Sequence, residues 1–152
     1  MKKVLTFALA VMLVMSLSVT AFAANTTGGE ADITTSIAPT YTVTIPADVN
    51  VQFNATETAF GTIEVTASQI HPDKCIKVAL TTDNELNNAI DNTKVIPYAI
   101  KDADGTAFTS ATYLTEGDKT ELSIHITADD WNAAYAGDYS DTITFTVSYE
   151  DK

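Results

Sequence analysis

The stretch D-Y-S-D-T-I-T-F-T-V-S-Y-E, Asp138 to Glu150, decides the fold class. Tyr139, Ile143, Phe145, Val147 and Tyr149 share one side of an extended chain, and Thr142, Thr144, Thr146 and Ser148 share the other. A strand sends successive side chains to opposite faces, so a period of two predicts one buried and one wet face. Threonine at the outward positions suits a solvated sheet. Asp141 falls in phase with the apolar side, where a place near the rim lets it stay wet or accept a backbone bond.

The same period recurs upstream. A-D-I-T-T-S-I-A-P-T-Y-T-V-T-I-P, Ala31 to Pro46, sets Ile33, Ile37, Tyr41, Val43 and Ile45 on one face. Pro39 has no N–H for a ladder and predicts an edge position or a break into two shorter strands. V-N-V-Q-F groups Val49, Val51 and Phe53; G-T-I-E-V-T-A groups Ile63, Val65 and Ala67. C-I-K-V-A-L-T buries Ile76, Val78 and Leu80, with Cys75 and Lys77 opposite. V-I-P-Y-A-I-K offers Ile96, Tyr98 and Ile100, and T-E-L-S-I-H-I-T offers Leu122, Ile124 and Ile126.

Turn-forming clusters separate these runs: P-A-D-V-N, H-P-D-K, T-D-N-E-L-N-N, D-A-D-G-T and T-E-G-D-K. K-D-A-D-G-T reads as a hairpin, because Gly105 supplies the positive φ of a tight turn. Only E-L-N-N-A-I and T-A-D-D-W-N-A-A-Y-A-G offer a helical turn, the second capped by Thr127 or Asp129. About seven to nine short alternating strands predict an all-β, immunoglobulin-like antiparallel β-sandwich over residues 31–152. In such sandwiches a tyrosine at the start of a late strand bonds back to the preceding corner. A-G-D-Y has that form, so Trp131, Gly137 and Tyr139 are read as a fold lock.

M-K-K-V-L-T-F-A-L-A-V-M-L-V-M-S-L-S-V-T-A-F-A has the positive start, apolar stretch and A-x-A site of a signal peptide, residues 1–23. Residues 24–30 then form a flexible N-terminus, and the protein is expected to be secreted, extracellular or associated with a cell surface. Removing 23 of 152 residues leaves 129, enough for one domain. Eight lysines less the two in the signal, against 20 acidic residues and no arginine, give a charge of −14. That surface excludes nucleic acid and anionic lipid headgroups, so no membrane partner is expected after cleavage. The lone Cys75 cannot form an intramolecular disulfide and is a candidate intermolecular thiol.

Residues that carry chemistry are sparse. No G-x-S-x-G elbow occurs, and His71 and His125 lie in a turn and on an outward strand position. His71 and Cys75 supply half of a metal site or thiolate–imidazole pair, and nothing nearby completes either. D-A-D-G lacks the remaining ligands of a calcium loop. Carboxylate pairs such as Asp102 with Asp104 and Glu116 with Asp118 serve a hydrolase only across one cleft. No catalytic residue, metal or cofactor is therefore assigned.

A-Y-A-G-D-Y-S-D-T-I-T-F-T-V-S-Y-E resembles a recurring ending of small secreted bacterial β-sandwich proteins, shared with spore-coat-U-like and pilin-like domains. T-Y-T-V-T-I-P-A-D-V, V-I-P-Y-A-I and D-W-N-A-A-Y-A-G look like the Gram-positive secreted relatives of the same layout. The resemblance implies an extracellular structural or adhesive role, with polymerisation by strand donation in some members. The disulfide common in Gram-negative pilin relatives is missing here. The expected function is a non-enzymatic surface protein whose partners are other extracellular proteins or copies of itself. Its candidate assembly strand carries Ile33, Ile37, Tyr41, Val43 and Ile45, since a strand can add to an exposed sheet edge. The competing expectation, a carbohydrate-binding module, requires exposed aromatics on one sheet face or loop rim.

Overall fold

The computed structural model describes residues 30–152. The signal peptide and all but the last residue of the flexible N-terminus lie outside the described residues. Ten strands and one short helix follow in order. They are β1 (Thr40–Thr44), β2 (Glu57–Gln69), β3 (Lys74–Thr81), β4 (Glu85–Asn88) and β5 (Val95–Pro97). After them come β6 (Ala99–Asp102), β7 (Ser110–Tyr113), β8 (Lys119–His125), α1 (Ala128–Ala133), β9 (Tyr139–Ser140) and β10 (Thr144–Asp151). The protein is all-β, and all pairing between these strands is antiparallel.

A four-stranded sheet, β1-β2-β8-β6, forms one layer. The other is made of two three-stranded sheets, β10-β3-β7 and β5-β4-β9. Between them lie Ile63, Val65, Ile76, Val78, Ile96, Ile100, Leu122, Ile124 and Ile126, each at most 6% exposed. These are the inward positions that the alternation predicts for four of the runs. The strand count of ten exceeds the expected range because two runs are split and two strands, β4 and β7, arise in segments not read as strands. V-I-P-Y-A-I-K becomes β5 and β6 in different sheets, with Tyr98 at the crossing point. The last run divides into β9 and β10, interrupted where Asp141 turns its carboxylate onto the Thr142 N–H.

Three expectations are corrected. Val49–Phe53 is not a strand: Val49 is 38% and Phe53 75% exposed, and Asn54 turns the chain with φ 64°. E-L-N-N is strand β4 rather than a helical turn, since it pairs with β5 on one side and β9 on the other. The long run Ala31 to Pro46 is extended sheet only from Thr40 to Thr44, directly after Pro39. Ala67 also faces solvent, where the β1–β2 register shifts between Thr42 and Val43.

The long side bounded by the edge strands β6 and β7 is closed by the segment between them. There Lys101 bridges to Ala107, Phe108 N–H donates to the Ile100 carbonyl at 2.9 Å and Leu80 N–H donates to the Thr109 carbonyl at 2.8 Å. The chain crosses between layers from β7 to β8, and that loop bonds to β2 through Gly117 N–H to the Val65 carbonyl and Val65 N–H to the Asp118 carbonyl, at 2.8 and 2.9 Å. Asp118 holds the loop by accepting from Leu114 N–H and Thr115 N–H, at 2.7 and 2.9 Å. Those bonds stabilise its charged form and lower its carboxyl pKa, the Leu114 bond most.

Candidate functional site

The opposite long side is bounded by two edge strands, β1 of the four-stranded sheet and β10 of the facing one. Their inward side chains touch across the gap. Tyr41 lies against Tyr149 with ring centroids 5.7 Å apart, and Phe60 against Phe145 at 5.9 Å. Tyr41, Val43, Phe60, Phe145 and Val147 pack on the core but stay only partly buried. Each belongs to an edge strand or meets one, so among the described residues no further strand covers its outer flank. The result is an apolar seam flanked by two strand edges, and an edge strand offers backbone groups to an added strand.

The candidate assembly residues divide at this seam. Tyr41 and Val43 lie in β1 and line it, and Ile45 is half-buried just beyond. Ile33 and Ile37 do not continue the strand; they project from an unpaired arm, 99% and 63% exposed. Ile37 and Pro39 line an open depression with Ile70, His71 and Pro72 at the β2–β3 turn. There the His71 N–H donates to Tyr149 Oη at 2.9 Å, tying the turn to the end of the seam.

Cys75 is buried in β3, its thiol 3.7 Å from the Asp151 carbonyl. A bond from it to a second copy therefore requires the end of β10 to open. Lys74 and Lys77 pair with Asp151 and Glu150 across β3 and β10, the second pair at 3.3 Å. The Ser148 hydroxyl first, and Lys77 next, hold the Glu150 carboxyl below its ordinary pKa.

The corner residues occupy the end of the sandwich. Trp131 is 9% exposed and donates Nε1–H to the Ala55 carbonyl at 2.9 Å. Thr127 caps α1 by accepting from Asp130 N–H at 3.1 Å. Tyr139 donates its hydroxyl to the Tyr135 carbonyl at 3.0 Å. Gly137 has φ 149°, and a Cβ there would come within 2.6 Å of Asn88 Nδ2. Asn88, 6% exposed, was not singled out in the sequence; its Oδ1 accepts from Ile90 N–H and Asp91 N–H at 2.9 and 3.2 Å. An asparagine at the end of a strand before a turn was the available signal.

The carboxylates with chemical potential are mostly engaged in turns. Asp102 accepts from Asp104 N–H and Thr106 N–H at 3.0 and 2.9 Å, closing the hairpin around Gly105. Asp141 takes bonds from Tyr98 and from Thr82, whose hydroxyl lies 3.0 Å away. Burial and then the Asp141 bond raise the Tyr98 pKa far above its usual value. Among the described residues no group of three or more His, Cys, Asp or Glu side chains is arranged to hold a metal ion.

One serine–histidine contact occurs, Ser123 Oγ to His125 Nε2 at 2.9 Å, with Glu57 4.0 Å from the same nitrogen. A charge relay needs the carboxylate on the other ring nitrogen. All three residues stand on the outer face of the four-stranded sheet, where Glu57 pairs with His125 in register.

No family model matches the chain. No curated protein matches it either. Among solved structures, a chain from a study of the chaperone–tip adhesin complex in CFA/I fimbriae biogenesis aligns with TM-score 0.46 and 12% identity. The alignment covers 71% of this chain and 42% of that one, so the match spans less than half of that chain's length. Among the described residues no helix is long and apolar enough to cross a membrane.

Proposed function

We propose that this chain is an exported structural or adhesive surface protein that acts through protein–protein contacts. In this reading copies associate when the arm of one, Asp32 to Ile37, adds as a strand at the β1/β10 seam of another. The observation that carries it is the pairing of two opposites in one chain. An unpaired arm presents Ile33 and Ile37 to solvent, and a seam between two edge strands keeps Tyr41, Val43, Phe145 and Val147 partly uncovered.

The chemistry of the two surfaces is complementary. Ile33 and Ile37 are four residues apart, so in an extended arm they share a face about 13 Å long. Covering each isoleucine is worth about 1.5–3 kcal/mol. Backbone bonds to an edge strand add about 1 kcal/mol each, and ordering the arm costs about 1–2 kcal/mol per residue. These opposing terms nearly cancel, so association is weak and concentration-dependent.

The test compares residues 24–152 with residues 38–152 by light scattering over a concentration series, with and without reductant. The longer form should grow into large species that ignore reductant, and the shorter should stay monomeric with an unchanged melting temperature. Equal masses for both forms would remove the arm from the account. A species lost on adding reductant would assign the contact to Cys75 instead.

A further inference from the structure

We infer that the pole of the sandwich built on Trp131 binds neutral, pyranose-containing glycans, with the exposed rings of Phe53 and Tyr135 as stacking platforms. This site is separate from the seam and does not rest on strand-mediated association. Phe53 is 75% and Tyr135 63% exposed, unusual for large rings in a protein that buries Tyr98, Phe108 and Tyr113 below 10%. An aromatic left this far in water gains little from burial in its own fold.

Both rings stand on braced backbone. The edge of Phe53 meets Trp131 at a centroid distance of 5.6 Å and an interplanar angle of 81°. The Trp131 Nε1–H bond to the Ala55 carbonyl pins the segment that carries Phe53, and Ala55 N–H closes the intervening turn on the Gln52 carbonyl at 3.0 Å. On the other side of Trp131, Tyr139 holds the Tyr135 carbonyl. Lys94 Nζ lies 5.0 Å from the Tyr135 ring centroid and steadies that ring from the β4–β5 hairpin. Presentation on rigid supports lowers the ordering cost of binding.

The surroundings select the ligand. A pyranose ring has an apolar C–H face that packs on an aromatic ring, and equatorial hydroxyls that need donors and acceptors at its rim. Amides supply both functions, and exposed Asn50, Gln52 and Asn132 stand in the same two segments as the rings. Gln52 Nε2 already bonds Asn50 Oδ1 at 3.3 Å, a pair that shows amide donors and acceptors in register beside Phe53. The chain has no arginine, and the nearby Lys94 is engaged on Tyr135. With Asp129 in α1 beside Asn132, uronic and sialic acids meet repulsion, and neutral sugars do not. Separated rings flanked by amides do not make the continuous groove that an apolar helix requires.

Trp131 is the single tryptophan of the chain and lies beneath Phe53, so its fluorescence reports on this pole. The full secreted chain is titrated separately with cellohexaose, mannohexaose and xylohexaose, and with an oligogalacturonate as the anionic contrast. At least one neutral hexaose should give a saturable change at low millimolar concentration, and the oligogalacturonate should give none. Phe53→Ala and Tyr135→Ala should each weaken binding about tenfold, the loss of one ring contact. Phe53→Tyr, which keeps the ring, should retain it. Circular dichroism and melting temperature verify that each variant is folded. No saturable response to any of the three hexaoses overturns the proposal, as does undiminished binding in folded Phe53→Ala. If Phe53→Ala instead lowers the mass seen by light scattering, the pole is a contact between copies and the proposal is wrong.

Discussion

β3 and β10 are paired residue for residue, from Lys74 opposite Asp151 to Thr81 opposite Thr144, and both alternate apolar with polar side chains. Their burial is nevertheless different. Ile76 and Val78 of β3 are fully buried, whereas Phe145 and Val147 of β10 remain partly exposed. β3 has a neighbour on each side, β10 and β7, and β10 ends its sheet. A side chain's phase along a strand determines the face it occupies. The strand's place in the sheet determines how completely that face is covered.

The sharpest way to break this contrast uses identical chemistry at two paired positions, since Val78 lies opposite Val147. Val78→Ala should lower unfolding free energy by about 2–3 kcal/mol, the transfer and cavity cost of a closed core site. Val147→Ala should cost less than half as much in the same urea titration, because its side of the seam can relax. Equal losses would mean that the seam is as closed as the centre.

The corner leading into β10 extends the comparison to the end of the sandwich. Gly137→Ala should cost about 2 kcal/mol, because its φ of 149° and the Asn88 amide 2.6 Å from the added Cβ both resist a side chain. Tyr139→Phe removes the bond to the Tyr135 carbonyl and should cost about 1 kcal/mol. For both, amide exchange should quicken in β9 and β10 before it quickens in β3. Uniform loosening of all strands would show that the corner does not act on the edge in particular.

In the β7–β8 loop the effect is smaller and depends on pH. Asp118 has a lowered folded pKa, so the stability it gives is present above its unfolded value, about 3.9, and fades as pH falls through the folded value. Asp118 is half-buried in a loop whose neighbours are exposed, where water screens its charge, so Asp118→Asn should cost under about 1 kcal/mol at neutral pH. The difference from the parent should shrink as acid denaturation is followed below about pH 4. A gap that widens in acid would contradict the assignment.

Much of this architecture was legible because alternation reports burial directly. Ile63, Val65, Ile76, Val78, Ile96, Ile100, Leu122, Ile124 and Ile126 occupy the inward places that their phase demanded. Val49, Val51 and Phe53 show the limit, since they alternate equally well yet have no strand partner. Pairing is a long-range property that local period does not encode. Pro39 and Asp141 were visible as irregularities, and each marks a place where a long run stops being sheet. The seam was hidden for a related reason, because β1 and β10 are far apart in sequence and nothing local says that both are edges. Trp131 was singled out in the sequence, but Phe53 standing on it was not, since their meeting joins a loop to a helix 78 residues later.

Strand addition at the seam is read out residue by residue in amide exchange on residues 24–152, below and above the concentration at which copies associate. Association should slow exchange at Asp32–Ile37 and along the outer edges of β1 and β10, leaving the closed side between β6 and β7 unchanged. Protection confined to any other surface, or association with no new protection in the arm, would contradict strand addition at the seam.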